Sequence, residues 1–344
     1  MSFVFNLLER DLIPDSLIRT GIRRLVGNRA REIRTPDDGA LAEKLAAMVQ
    51  TLEESPIALA TDKANEQHYD VPTEFYRYVL GRHLKYSSAF YGPGVDDLDR
   101  AELAMLELYL DRAELAEGQD ILELGCGWGS LTLLMAERFP SSRVTAVSNS
   151  SGQRQHILAE AKARGLSNLE VITADVNTLD LSKKFDRVVS IEMFEHMRNY
   201  QQLLARISSW LRPGGKLFVH IFCHHRVPYP FEVRGTWDWM ARYFFTGGLM
   251  PSADLLLEFQ DDMELETRWL LDGTHYQRTS EAWLANMDAH KAEILPILAD
   301  TYGQDQVTRW WVYWRVFFMS CAELFGYRHG QEWMVAHYRF QRRD

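Results

Sequence analysis

The sequence predicts an α/β fold: a doubly wound, mostly parallel sheet with a helical N-terminal arm and aromatic helical additions. Three observations point to it. Strands and helices alternate at short spacing between residues 100 and 222. A glycine-rich turn joins the first of these strands to a helix, and the segments on either side are helical or aromatic rather than alternating.

Residues 1–60 read as an amphipathic arm, FVFNLL, LIRTGIRRLV and ALAEKLAAMVQTL, broken by turn signals at Pro14 and Pro36–Asp38. The stretch from Arg19 to Arg34 is locally basic and suits packing on the chain's own catalytic domain, packing on a second subunit, or contact with phospholipid. Residues 61–99 are dense in Tyr and Phe beside polar groups, as in a lid over a pocket or a helix pair buried on the next domain. The core spans 100–222: helix AELAMLELYLDRA, strand DILELG, helix SLTLLMAERF, strand RVTAVSNS, helix SGQRQHILAEAKARG, strands NLEVITAD and KFDRVVSIE, helix YQQLLARISSWL, turn RPGG and strand KLFVHIF. Residues 223–344 read as irregular, helical and aromatic, a pocket region packed on the core. Most of the rings in RWWVYWRVFFMSCAELFGY must be core because of their size, and some would line an apolar cavity.

With 344 residues, 46% hydrophobic and 25% charged, the chain can bury a large core. A net charge of −10 argues against general affinity for nucleic acid. Cys126, Cys223 and Cys321 lack disulfide or metal-knuckle spacing, so reduced thiols in a cytoplasmic enzyme without a metal are expected. Glu9, Arg10 and Asp11 interrupt any signal-peptide core, and no apolar run reaches the roughly 18 residues a membrane span needs. Stable membrane insertion is therefore not expected, while a homodimer is an open expectation.

The turn ILELGCGWGS places Glu123 at a strand end, before Gly125, Gly127 and Gly129. Glycines let the backbone turn sharply and approach a ligand, and the following helix offers N–H groups. The spacing E-x-G-x-G-x-G lacks the third glycine of the dinucleotide fingerprint at its usual offset. The preceding acid can take the ammonium of a methionine moiety. Asp175, at the end of the third strand, can accept from an adenine amino group. The second strand ends without the acid that often holds ribose, leaving Asn149 and Gln153 as polar substitutes. Together these residues fit S-adenosylmethionine.

At these residues the chain resembles the cyclopropane-fatty-acid synthase-like methyltransferases. The likeness runs from about residue 61 onward through NEQHYDVPTEFY, LKYSSAFY, LELGCGWGS, SNSSGQ, ADVNTL, FEHM and SCAELFGY. Within that family it is most similar to the coclaurine-type N-methyltransferases, in LGRHLKYSSAFY, SIEMFEHMRNY, FVHIFCH, RYFFTGGLMPS and WRVFFMSCAELFGYRHGQEWM. The resemblance implies a class I methyltransferase core, with Tyr86, Ser87, Gly125, Asn149, Gln153, Asp175, Val176 and Ile191 contacting S-adenosylmethionine. It puts Glu192, Glu195 and His196 at the acid/base position. It also puts His220 and Tyr276, with Glu195, where the lipid-modifying branch holds bicarbonate; that branch's cysteine is Ser88 here. Cys321 matches a cysteine often treated as an active-site residue, though a small buried thiol in an aromatic helix is also ordinary core.

The IEMFEHM segment follows the fourth strand, and ligands of such sheets bind beyond the carboxyl ends of the strands. An amine is mostly protonated at neutral pH and must lose a proton before attacking a sulfonium methyl. His196, with an ordinary pKa of about 6.5, suits that task directly or through water. Glu192 or Glu195 can hold the cationic amine and orient His196; alternatively, Glu195 and His196 simply cap the next helix. Aromatic faces attract cations, so Trp237, Trp314, Phe317, Phe318 and Tyr327 are candidate pocket walls. The expected partner is a small aromatic or cyclic amine. Modification of unsaturated phospholipid chains is the rival, and a non-catalytic cofactor-binding scaffold a third reading. Glu192 argues against the lipid reaction, because the lipid enzymes typically carry a small residue there.

Overall fold

The structure, a computed structural model, describes residues 3–59, 71–233, 235 and 238–344. Its strands are β1 Asp120–Leu124, β2 Arg143–Ser148, β3 Leu169–Thr173, β4 Phe185–Ile191, β5 Leu211–His224, β6 Tyr229–Pro230, β7 Leu249–Met250, β8 Met263–Leu271 and β9 Trp333–Arg342. Seven of them form one sheet in the order β3-β2-β1-β4-β5-β9-β8, while β6 and β7 pair separately. The first five run parallel, and β9 inserts antiparallel between β5 and β8. β1 is buried along its whole length, as a strand covered by helices on both faces must be.

The helices start where the sequence offers caps. Asp97 caps Leu98–Arg112, Ser150 caps Ser151–Ala163 and Asn199 caps Tyr200–Trp210, each accepting a first-turn N–H. Glu192, His196 and the glycine turn therefore fall at one edge, beyond the carboxyl ends of β1 and β4.

Two expectations change. The boundary at 222/223 falls inside β5, and residues 263–271 and 333–342, expected among helical additions, complete the sheet. Their strand pattern is hidden because WMVAHYRFQR is covered on both faces over most of its length and so shows no clean polar alternation. The RPGG segment is a bulge within β5, where pairing jumps from Phe185–Leu211 to Arg187–Lys216.

The arm packs on its own chain. Ile22, Val26, Ala30 and Ile33 of helix Asp15–Ile33 are buried, and this helix lies against helix Val307–Phe325. Arg19 pairs with Glu281 and Glu323, Arg23 with Glu323, and Arg315 with both Asp15 and Asp288. Partly exposed pairs contribute about 0–1 kcal/mol each, so burial of the apolar stripe dominates. Among the described residues no helix is long and apolar enough to cross a membrane.

Candidate active site

The glycine turn is conformationally forced. Gly125, Gly127 and Gly129 have φ of 77°, 51° and 83°, in the region where a side chain is strained. A Cβ on Gly125 would lie 2.9 Å from that of Met193, and one on Gly129 would lie 2.6 Å from Ile157. A Cβ on Gly127 would meet nothing within 4 Å among the described residues. Gly127 thus opens onto the cavity at the strand ends, whereas Gly129, which does not line it, lets the turn pack on helix Ser151–Ala163.

That cavity is lined by Tyr86, Ser87, Glu123, Gly125, Asn149, Gln153, Asp175, Val176 and Ile191, which the structure brings together as a group. Glu123 is 2% exposed, accepts from the Thr132 hydroxyl, and is pushed up to about 8 by burial, so an ammonium beside it would restore its charge. Gln153 accepts from Ser148 through Oε1 at 2.6 Å, and its buried Nε2 has no partner among the described residues. A buried donor left over at the cavity suits a hydroxyl-bearing ligand. Buried carboxyl, spare amide donor and glycine cradle fit an amino acid joined to a nucleoside.

A second polar group forms around Glu192, just past β4. Its φ is +50°, unusual for a residue with a side chain, and its N–H donates to the His220 carbonyl at 2.9 Å. The carboxylate collects three donors: the Ser88 N–H at 2.9 Å, the Tyr276 hydroxyl at 2.7 Å and the His220 Nε2 at 3.1 Å. Burial pushes its pKa up, while Lys85, the Ser88 N–H and the Tyr276 hydroxyl pull it back. Three donors facing it match the ionised form. Lys85, 1% exposed, donates to Ser87 Oγ at 2.5 Å and to the Ser88 carbonyl at 2.6 Å, holding from below the loop that presents Ser88. Burial lowers the Lys85 ammonium to about 8.

His196 also lines the cavity, with its ring stacked on Phe245 at 6.2 Å. Burial lowers it to about 4, against the pull of Glu192, so it is a neutral imidazole at pH 7 rather than a group poised near 6.5. Glu195 does not reach the cavity. It is 1% exposed, its Oε1 accepts from the Phe222 N–H at 2.7 Å, and its Oε2 has no partner among the described residues. Burial, then the charge of Glu192, drive its pKa far up, so the carboxyl is neutral and cannot hold a cation.

The remaining sequence candidates divide. His220 and Tyr276, expected on the pocket wall, do not line the cavity; they meet behind it at Glu192 rather than at Glu195. Trp314, Phe317 and Phe318 are 0%, 4% and 0% exposed and pack in the aromatic core, with Phe317 stacked on Phe244 at 4.3 Å; they are not walls of this cavity. Tyr327 packs against Trp333 and faces Gly27 of the arm. Trp237 lies outside the described residues. Cys321 is buried, its thiol pushed far up by burial and then by Glu192, which leaves it inert packing.

Sequence reasoning missed Tyr109, Trp128, Lys85 and His337. Trp128 stood in the glycine turn and lines the cavity. Tyr109 also lines it, and its hydroxyl lies 2.9 Å from His220 Nδ1. Among the described residues, His224, His225 and Glu332 group with metal-ligand spacing. However, His224 Nδ1 accepts the Arg226 and Val227 N–H groups at 3.1 and 2.8 Å, so its Nε2 carries the proton and donates toward Glu332 at 3.4 Å. A ligating histidine needs the opposite arrangement.

The chain is similar to known proteins over nearly its whole length. The family model for mycolic acid cyclopropane synthetase matches residues 59–333. (S)-Coclaurine N-methyltransferase of Thalictrum flavum subsp. glaucum is 39% identical over 341 residues, covering 98% of this chain and 94% of the relative. The crystal structure of coclaurine N-methyltransferase bound to N-methylheliamine and SAH superposes with a TM-score of 0.95 at 37% identity, covering 98% of this chain and 99% of that one. Cyclopropane-fatty-acyl-phospholipid synthase of Escherichia coli (strain K12) is 28% identical over 272 residues, covering 78% of this chain and 66% of the relative.

Proposed function

We propose a function for a chain that belongs to the mycolic acid cyclopropane synthetase family: it transfers a methyl group from S-adenosylmethionine to the nitrogen of an isoquinoline-type amine. The observation that carries this is Glu192, a carboxylate on the wall of the cavity shared by the glycine turn and His196. Bound S-adenosylmethionine supplies an electrophilic sulfonium methyl. The chain's residues then have three tasks.

Glu192 attracts the ammonium and accepts its N–H, since its other partners are all donors. His196, neutral at pH 7, accepts a hydrogen bond or the proton that must leave before nitrogen can attack. With a pKa of about 4 it is a weak base, so the site gains most by selecting the free amine and aligning its lone pair. Tyr86 and Trp128 close the wall and keep water from the reacting nitrogen.

The lipid reading loses support at the same place. The donors that the resemblance assigns to bicarbonate, His220 and Tyr276, are occupied by the chain's own Glu192 carboxylate. An internal anion there suits a cationic substrate better than an alkene. The three buried, unbonded thiols support a reducing, cytoplasmic setting.

The test measures S-adenosylhomocysteine release with secondary cyclic amines, phenylethylamines and unsaturated phospholipid vesicles. Turnover on cyclic amines alone is expected. Turnover on vesicles alone moves the chain to the lipid branch, and cofactor binding without turnover on any of them supports the scaffold reading.

A further inference from the structure

Behind Glu192 a buried chain of polar groups leads away from the cavity. His220 Nε2 lies 3.1 Å from Glu192 Oε1. Its Nδ1 lies 2.9 Å from His337 Nε2 and 2.9 Å from the Tyr109 hydroxyl. His337 Nδ1 in turn lies 2.6 Å from Arg112 Nη1. Both histidines are fully buried, and burial lowers both far below the ordinary value, so both are neutral.

Arg112 fixes the proton pattern of the whole chain. A guanidinium has donors and no acceptor, so His337 Nδ1 must present its lone pair and Nε2 must carry the proton. That N–H points at His220 Nδ1, which must then be bare, and His220 Nε2–H points at Glu192. Along the line through His337 every hydrogen bond runs one way, from Arg112 toward the carboxylate, and the Tyr109 hydroxyl, facing the same bare His220 Nδ1, can only donate to it. The guanidinium is itself held over the Trp269 ring at 4.9 Å. Nothing in this line can carry a proton outward, because its far end cannot accept one.

We infer that His337 and Arg112 are positioning residues for methyl transfer: they lock the tautomer and ring orientation of His220, and through it the carboxylate of Glu192. This rests on the amine-methylating role proposed for Glu192. Neither residue lines the cavity, so their effect is on the alignment of the amine and not on its access. His337 lies on β9, the strand that the sequence did not announce.

Two measurements decide it. Nitrogen-15 histidine spectra of the wild-type enzyme should show His220 and His337 each protonated at Nε2 and bare at Nδ1. A protonated Nδ1 on either overturns the inference whether or not the enzyme methylates amines. In kinetics, H337L should lower kcat for the amine about tenfold, with KM and S-adenosylhomocysteine affinity changed less than about threefold. H337Q places an amide N–H where Nε2–H stood and should restore kcat to within about threefold of wild type. An unchanged kcat in H337L, or an equal fall in H337L and H337Q, overturns the inference, the second because it reports packing alone. A wild-type enzyme silent on every amine removes the proposed function and leaves the spectra to judge the histidine chain.

Discussion

The cofactor half and the acid half of the cavity are made from the same chain in opposite ways. The cofactor half takes Glu123 to Trp128, Val147 to Gln153 and Ala174 to Val176, short runs at successive strand ends. The acid half presents Glu192 and His196 to the cavity, and Glu192 is held from behind by Ser88, His220 and Tyr276 from three distant segments, with His337 behind them from a fourth. In the first half, backbone shape does the work. In the second, side chains from distant segments must agree on hydrogen-bond direction. A single change should therefore abolish ligand binding in one half, and in the other should abolish chemistry while leaving ligand binding intact.

The largest effect belongs to the turn. G127V should weaken S-adenosylhomocysteine binding by about a hundredfold or more, ~2.7 kcal/mol, in titration calorimetry. The fold should survive, since the added Cβ meets no atom of the described residues within 4 Å, though φ of +51° costs about 1–2 kcal/mol. Near-native affinity would break the comparison on its cofactor side.

Next is E192A, which should lower kcat by about a thousandfold with cofactor affinity within about threefold. It leaves the donors Ser88 N–H, Tyr276 and His220 without their anion, so added formate should recover part of the rate. Equal losses in binding and turnover would merge the two halves.

H196A should cost about a hundredfold in kcat while cofactor binding holds. Because His196 sits near 4, the wild-type rate should climb with pH as the free amine appears, with no inflection near 6.5. An inflection near 6.5 that disappears in H196A would restore an ordinary histidine there. The smallest effect is C321A: kcat within about twofold and a stability loss of about 1 kcal/mol, the cost of one small buried group.

The same contrast explains what the sequence made legible. Strands β1 to β5 could be read because each is a short apolar run flanked by turn chemistry, and the cofactor residues because they follow those strands directly. Glu192 and His196 could be placed beyond the carboxyl end of β4, where they line the cavity, for the same reason. Glu195 was misplaced because residues adjacent in FEHM point to opposite sides of a tight turn: His196 faces the cavity and Glu195 faces β5. The rings of Trp314, Phe317 and Phe318 carry no local sign of which cavity, if any, they face, and packing against Phe75, Phe244 and Trp283 decided it. Nothing local marks Tyr109 or His337 as a polar partner; the packing of helix Leu98–Arg112 and the register of β5 on β9, which sets His220 opposite His337, bring them to His220.

That register also bears on how the molecule is born. Among the described residues β8 pairs in the sheet with β9 alone, and β9 follows both β5 and β8 in the chain. While the chain is still being made, the space between β5 and β8 stays empty and His220 lacks the ring at its back. A nascent chain that already holds β1 to β5, and with them the glycine turn, therefore lacks the ring that orients its Glu192 carboxylate until β9 has followed.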